Sequence, residues 1–182
     1  MASSTFVVVS SLLAFVLSLL FSNGVVPMHA SFTNGVPFTI CKKTRNPSLC
    51  FNVLKSAGTT NLKRLATYTL DLANNKAAQS HALAQSLASK SADPKLKERY
   101  AICAEHYNNV VVVIEGAKSN LGKGDYNGVN IQASRAITEA SDCLDNFTQP
   151  PKDPSTLSGN GKAVEDICNI VLVIANLLLG RA

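Results

Sequence analysis

The sequence predicts an all-α fold: an up-down-up-down four-helix bundle with a separate N-terminal piece before it. Three observations predict it. Helical periodicity persists in four stretches after residue 60, while β-type alternation persists nowhere. Glycine- or proline-rich breaks separate the later stretches. Two cysteines, Cys103 and Cys143, stand at equal distances from the break between the second and third stretches, as residues at one height of an antiparallel helix pair do.

The chain has 182 residues, and its first thirty contain no Lys, Arg, Asp or Glu. Within them, residues 6–21 read FVVVSSLLAFVLSLLF, nearly all apolar. As a helix that run would span ~24 Å, short of a ~30 Å hydrocarbon core. Small or flexible residues follow, with a cleavage point after Ala30 or, earlier, after Gly24. Residues 1–30 therefore read as a secretory signal peptide, although the start lacks the usual positive charge. Its removal leaves no membrane segment and enough chain for one domain with a core.

The N-terminal piece, about 35–58, contains CKKTRNPSLC, in which Asn46 and Pro47 interrupt any helix. The first bundle helix covers about 60–90. Leu62, Leu65, Thr69, Leu72, Lys76, Ser80, Leu83 and Leu87 form its track, with alanines beside it. The second starts with Asp93 as N-cap and Pro94 in the first turn. Leu96, Tyr100, Cys103, Tyr107, Val110, Ile114, Ala117 and Leu121 then repeat at alternating spacings of four and three, a heptad track for packing against neighbours. Gly122 and Gly124 end it.

The third helix starts near 125–128 and runs to about Phe147, with Val129, Ala133, Ala136, Ile137, Ala140, Cys143, Leu144 and Phe147 on its apolar face. TQPPKDPSTLSGNG then breaks the pattern. The fourth helix is expected from about Lys162 to Leu179. Its run ICNIVLVIANLLL is too short to span a membrane and reads as the most buried helix.

All five cysteines follow the expected signal peptide, so two disulfides and one free thiol are expected in an oxidising compartment. Cys103–Cys143 would join the second and third helices, and Cys41–Cys50 would staple the N-terminal piece. Cys168, among Ile167, Ile170 and Val171, is left as a buried thiol. Cys41 and Cys50 are too widely spaced for the usual zinc pair and lack two further ligands, so no metal is expected.

With 17 basic and 12 acidic residues the chain carries a formal charge of +5. That is too weak and dispersed for nucleic acid, and aromatics for stacking are few. It suits attraction to an acidic polysaccharide or protein surface. No catalytic constellation is present. There is no G-x-S-x-G elbow, and only His81 and His106 follow the signal region. Lys97, Glu98, Arg99, Glu105 and Glu115 read as a charged solvated face. GKGDYNG lacks the preceding strand and following Lys-Ser/Thr of a phosphate loop. A stapled helical protein without catalytic, cofactor or metal residues is expected to present a surface.

The residues resemble the plant invertase/pectin methylesterase inhibitor family over about 36–180. The resemblance rests on CKKTRNPSLC, YAICAEHYNNVVVVIEGA, GDYNGVNIQASRAITEASDCLDNF, the closing apolar helix and the cysteine spacing. It implies that the N-terminal piece is an α-helical hairpin, that the first and second and the third and fourth cysteines pair, and that the protein is secreted to the apoplast or cell wall, in some members to the vacuole. It also implies a protein partner, pectin methylesterase or acid invertase. Where invertase inhibitors of the family carry Pro-Lys-Phe, this chain reads Asp125-Tyr126-Asn127. Pectin methylesterase is therefore the expected target and acid invertase the alternative. Asp142 stands where inhibitors of pectin methylesterase often carry threonine, before the fourth cysteine. The candidate target-binding residues are Lys97, Glu98, Glu105 and Asp142, with Asp125, Tyr126 and Asn127 for the alternative. A weak contact with acidic pectin is also expected. A reading of another class is a non-inhibitory carrier, with a small apolar ligand in a cavity beside the alanine-rich first helix. Asn146-Phe147-Thr148 is an N-glycosylation acceptor sequence.

Overall fold

Short polar side chains set the helix starts. Asn46, Asn61, Asp93 and Asp125 each accept a hydrogen bond from a backbone N–H two or three residues on, at 2.8 to 3.2 Å. These satisfy donors that a helix leaves open at its first turn. In the computed structural model, which describes residues 35–181, they delimit α2 (Pro47–Ser56), α3 (Leu62–Lys90), α4 (Pro94–Gly122) and α5 (Tyr126–Asp145). α1 (Val36–Cys41) precedes them and α6 (Leu157–Leu178) follows. The expected signal peptide, residues 1–30, lies outside the described residues.

α3 packs on α4, α4 on α5, α5 on α6, and α6 back on α3. This closes the up-down-up-down bundle. α1 and α2 form a hairpin that lies against α6. Between α4 and α5 the chain turns at Gly124, whose φ of 75° falls in the left-handed region. Cys41 and Cys50 are joined across the hairpin, with Cα atoms 5.4 Å apart. Cys103 and Cys143 join α4 to α5 at 4.7 Å, and Cys168 is a free buried thiol on α6.

Three details differ from the sequence reading. In α3 the core seam is Leu65, Ala66, Thr69, Leu70, Ala73, Ala77, Ser80 and Ala84. Leu72, Lys76, Leu83 and Leu87 stand half-buried at its edge. The small side chains let neighbouring helices approach, and the leucines cover the flanks.

α6 begins at Leu157, five residues before the expected Lys162, and so includes Gly159 and Gly161. The reason is tertiary. Asp153 accepts hydrogen bonds from the backbone N–H groups of Ser155 and Ser158 at 2.9 and 3.0 Å and from both serine hydroxyls. Tyr100 on α4 donates to the same carboxylate at 2.8 Å. Leu157 is fully buried, and Gly161 lets α6 close on Tyr107 and Leu144.

α6 also buries polar residues on its outer side. Asp166 accepts from Asn46 Nδ2 at 2.8 Å, and Asn169 Oδ1 accepts from the Arg45 backbone N–H at 2.9 Å. These bonds tether the turn between α1 and α2, which is why α6 is buried nearly all round.

Candidate functional site

The buried heptad track of α4 dictates what its opposite side presents. Glu98, Ala101, Glu105, Asn108, Val112, Glu115 and Ser119 recur at spacings of three and four and are all exposed. On α5 the exposed positions include Ile131, Arg135, Thr138 and Asp142. Val112 and Ile131 are 62% and 52% exposed, large apolar side chains left in solvent on adjacent helices.

A polar seam joins these two faces. His106 Nδ1 lies 2.9 Å from Glu139 Oε2, and Asn109 Nδ2 donates to the same oxygen at 3.2 Å. Burial alone would raise the Glu139 carboxyl, but the bonds from His106 and Asn109 outweigh it and hold its pKa below the ordinary value. Further along, Gln132 packs over Gly116, where α4 presents no side chain. The seam fixes the relative rotation of α4 and α5, so the exposed residues beside it form a rigid face.

The expected target-binding residues separate into three places. Glu98 and Glu105 share the outer face of α4, and exposed Asp142 lies one turn beyond Glu139 on α5. Lys97 instead borders a depression between α3 and α4, with Gln85, Ala88, Ser89, Ala101 and Ala104. Asp125, Tyr126 and Asn127 lie at the other end of the bundle, ~37 Å from Glu98 by helical rise along α4. There Asp125 is the N-cap of α5, Tyr126 is half-buried beneath Lys63 Nζ at 5.6 Å, and Asn127 is exposed. The structure therefore does not gather these residues into one site.

Sequence reading missed His106, Asn109 and Glu139, and the apolar Val112 and Ile131. The equal-distance rule that aligns Cys103 with Cys143 also aligns His106 with Glu139, so the seam had a usable signal. So did the exposure of Val112, which stands seven residues after Glu105 on the side opposite the heptad track, though the run VVVVI masks it.

The face offers contact and charge. Among the described residues no group of three or more His, Cys, Asp or Glu is placed to hold a metal ion. No described helix is long and apolar enough to cross a membrane. Asn146 closes α5, donating from Nδ2 to the Asp142 carbonyl at 2.7 Å, and Thr148 is exposed.

Comparison with known proteins places this geometry. The family model of the plant invertase/pectin methylesterase inhibitors matches residues 38–174. A pectinesterase inhibitor of Actinidia deliciosa is 44% identical over 144 residues, covering 78% of each chain. Pectinesterase inhibitor 1 of Arabidopsis thaliana is 34% identical over 166 residues, covering 91% of this chain and 94% of its own. A crystal structure of a mutant form of a pectin methylesterase inhibitor from Arabidopsis superposes with a TM-score of 0.75 at 34% identity, covering 79% of this chain and 97% of its own. The chain belongs to the plant invertase/pectin methylesterase inhibitor family.

Proposed function

We propose that the chain is a secreted, non-enzymatic inhibitor of pectin methylesterase that acts by forming a stoichiometric complex over the target's active-site cleft. The observation that carries this reading is the 44% identity to a pectinesterase inhibitor across most of both chains. The rigid outer face of α4 and α5 supports it as the contact surface, with Glu98, Glu105, Val112, Ile131 and Asp142 as the presented side chains. Exposed apolar residues within a charged rim are what a docking surface needs at its centre.

Secretion to the apoplast or cell wall follows from the signal peptide read over residues 1–30. In that compartment a net charge of +5 favours loose contact with acidic pectin. An N-glycan on Asn146 would project from the end of α5 one turn beyond Asp142, outside the centre of the proposed face.

The test is a parallel titration of the purified protein against plant pectin methylesterase and acid invertase. Loss of pectin methylesterase activity at a one-to-one ratio, with invertase untouched, is expected. Loss of invertase activity alone would move the assignment to the Asp125–Asn127 turn. Loss of neither at micromolar excess would overturn both inhibitor readings in favour of a non-inhibitory carrier. Val112→Glu should weaken inhibition at least ~10-fold with an unchanged thermal midpoint, because it puts a charge where apolar contact is required.

A further inference from the structure

We propose that the segment 148–152, between α5 and α6, is a further contact element for the target enzyme, held in its binding conformation by Arg99. The proposal rests on the inhibitor reading and extends it to a segment that the α4–α5 face does not include.

Arg99 stands seven residues before His106, and so on the side of α4 that faces α5. It continues the seam of His106, Asn109 and Gly116 towards the start of α4. Its guanidinium donates to three successive carbonyls, of Gln149 at 2.7 Å, Pro150 at 3.3 Å and Pro151 at 2.5 Å. At one end of the segment the Thr148 hydroxyl donates to the Asp145 carbonyl at 2.8 Å. Just past the other end, Asp153 is fixed by Tyr100, Ser155 and Ser158. The other connections within the bundle, 91–93 and 123–125, are held differently. Among the described residues, neither receives a side-chain hydrogen bond from a helix that it does not join.

The start of α6 is already set by buried Leu157 and by the fit of Gly161, so the Arg99 bonds position the segment rather than the helix. What the segment presents follows from those bonds. Three of its carbonyls are taken by Arg99, and Lys152 is turned back to the carbonyl of Thr148. Gln149 and Pro150 are exposed, and the Gln149 side chain has no hydrogen-bond partner among the described residues. The partner therefore meets an amide that both donates and accepts, and a proline ring that suits an apolar or aromatic wall.

Arg99 directly follows Glu98, the first residue of the exposed stripe of α4, and the segment itself leaves α5 three residues after exposed Asp145. The segment thus prolongs the α4–α5 face at its Glu98 end, where it can meet the rim of a cleft that the face covers. A mobile linker would lose conformational freedom on docking, whereas this one has lost it on folding. Arg99 is in this sense a positioning residue, acting through Gln149 and Pro150.

The experiment measures inhibition constants of the full secreted chain against one plant pectin methylesterase, with thermal midpoints alongside. All arms are treated with an endoglycosidase, since a glycan on Asn146 would stand beside the segment. Gln149→Lys puts a longer, charged side chain on the contact. It should weaken inhibition at least ~10-fold with an unchanged midpoint. Thr60→Lys, a similar change on the exposed linker between α2 and α3, should stay within about twofold of wild type. Arg99→Gln should weaken inhibition roughly 5-fold or more. Added to Gln149→Lys it should cost less than about twofold further, because both act through one contact. A general loss of stability would not reproduce that non-additivity. Unchanged inhibition by Gln149→Lys, with an inhibiting wild type, would overturn the contact. Additive losses in the double variant would overturn the positioning role of Arg99. A wild type that fails to inhibit would instead overturn the inhibitor reading, so the two failures are told apart.

Discussion

Gly161 shows how one missing methyl group sets the distance between helices. A Cβ there would lie 2.5 Å from Tyr107 Oη on α4 and 2.8 Å from Leu144 on α5. Gly161→Ala should therefore cost roughly 1–3 kcal/mol, read from urea unfolding. Gly159→Ala, two residues earlier with open space around it, should be neutral or stabilising by up to ~1 kcal/mol. Asp153 makes a pH-dependent contribution. Burial would raise its carboxyl, but hydrogen bonds from Ser155, Tyr100 and Ser158 prevail and depress it. The unfolded chain thus binds its proton first as pH falls. The stabilisation is present above the unfolded value of ~3.9 and is lost as pH drops through the folded one. Asp153→Asn should be less stable than the parent by about 1–3 kcal/mol at pH 6, with the gap closing towards pH 2. A gap independent of pH would contradict this account.

At the scale of elements, the two disulfides differ in the loop they close. Cys103–Cys143 spans 40 residues and Cys41–Cys50 spans 9. On chain entropy alone their removal should cost about 4 and about 2.5 kcal/mol, measurable with Cys→Ser pairs. The hairpin α1–α2 depends further on α6. Asn169→Ala would leave the Arg45 N–H without its acceptor and should speed amide exchange in the hairpin while α4 and α5 stay protected. Much at this scale was legible in the sequence. Asp93-Pro94, the heptad track of α4 and the even placing of Cys103 and Cys143 about Gly124 are local signals, and they specify element, end and register. The start of α6 was not legible, because its N-cap position, Thr156, makes no side-chain capping bond and what holds the first turn, the burial of Leu157 and the fit of Gly161 against Tyr107 and Leu144, is tertiary. The seam of α3 was missed because leucines outrank alanines in any hydrophobic pattern, whereas close approach of three helices favours the smaller side chain. Asp166 and Asn169 look like surface residues until the hairpin covers them.

For the molecule as a whole, the candidate surface was only half legible. Exposure of Glu98, Glu105 and Asp142 follows from helical spacing. Sequence could not show that Lys97 borders a different groove, although the length of α4 already puts Asp125–Asn127 at the opposite end from Glu98. Cys168 reports on the integrity of the whole bundle. It is fully buried, and burial, with the nearby Glu165 charge, pushes its thiol up to about 12. A thiol reagent at pH 8 should leave it unlabelled in the native protein and modify it in denaturant. The segment between α5 and α6 has a last consequence. It looks like an exposed linker, the kind of segment at which proteolytic nicking concentrates. Yet Arg99 Nη1 donates to the carbonyls of Gln149 and Pro151 at 2.7 and 2.5 Å, and Lys152 reaches back to the carbonyl of Thr148. A protease must draw such a segment out as an extended strand, which here means breaking these bonds first. Trypsin should therefore cut after Lys152 far more slowly in the folded protein than in the unfolded one.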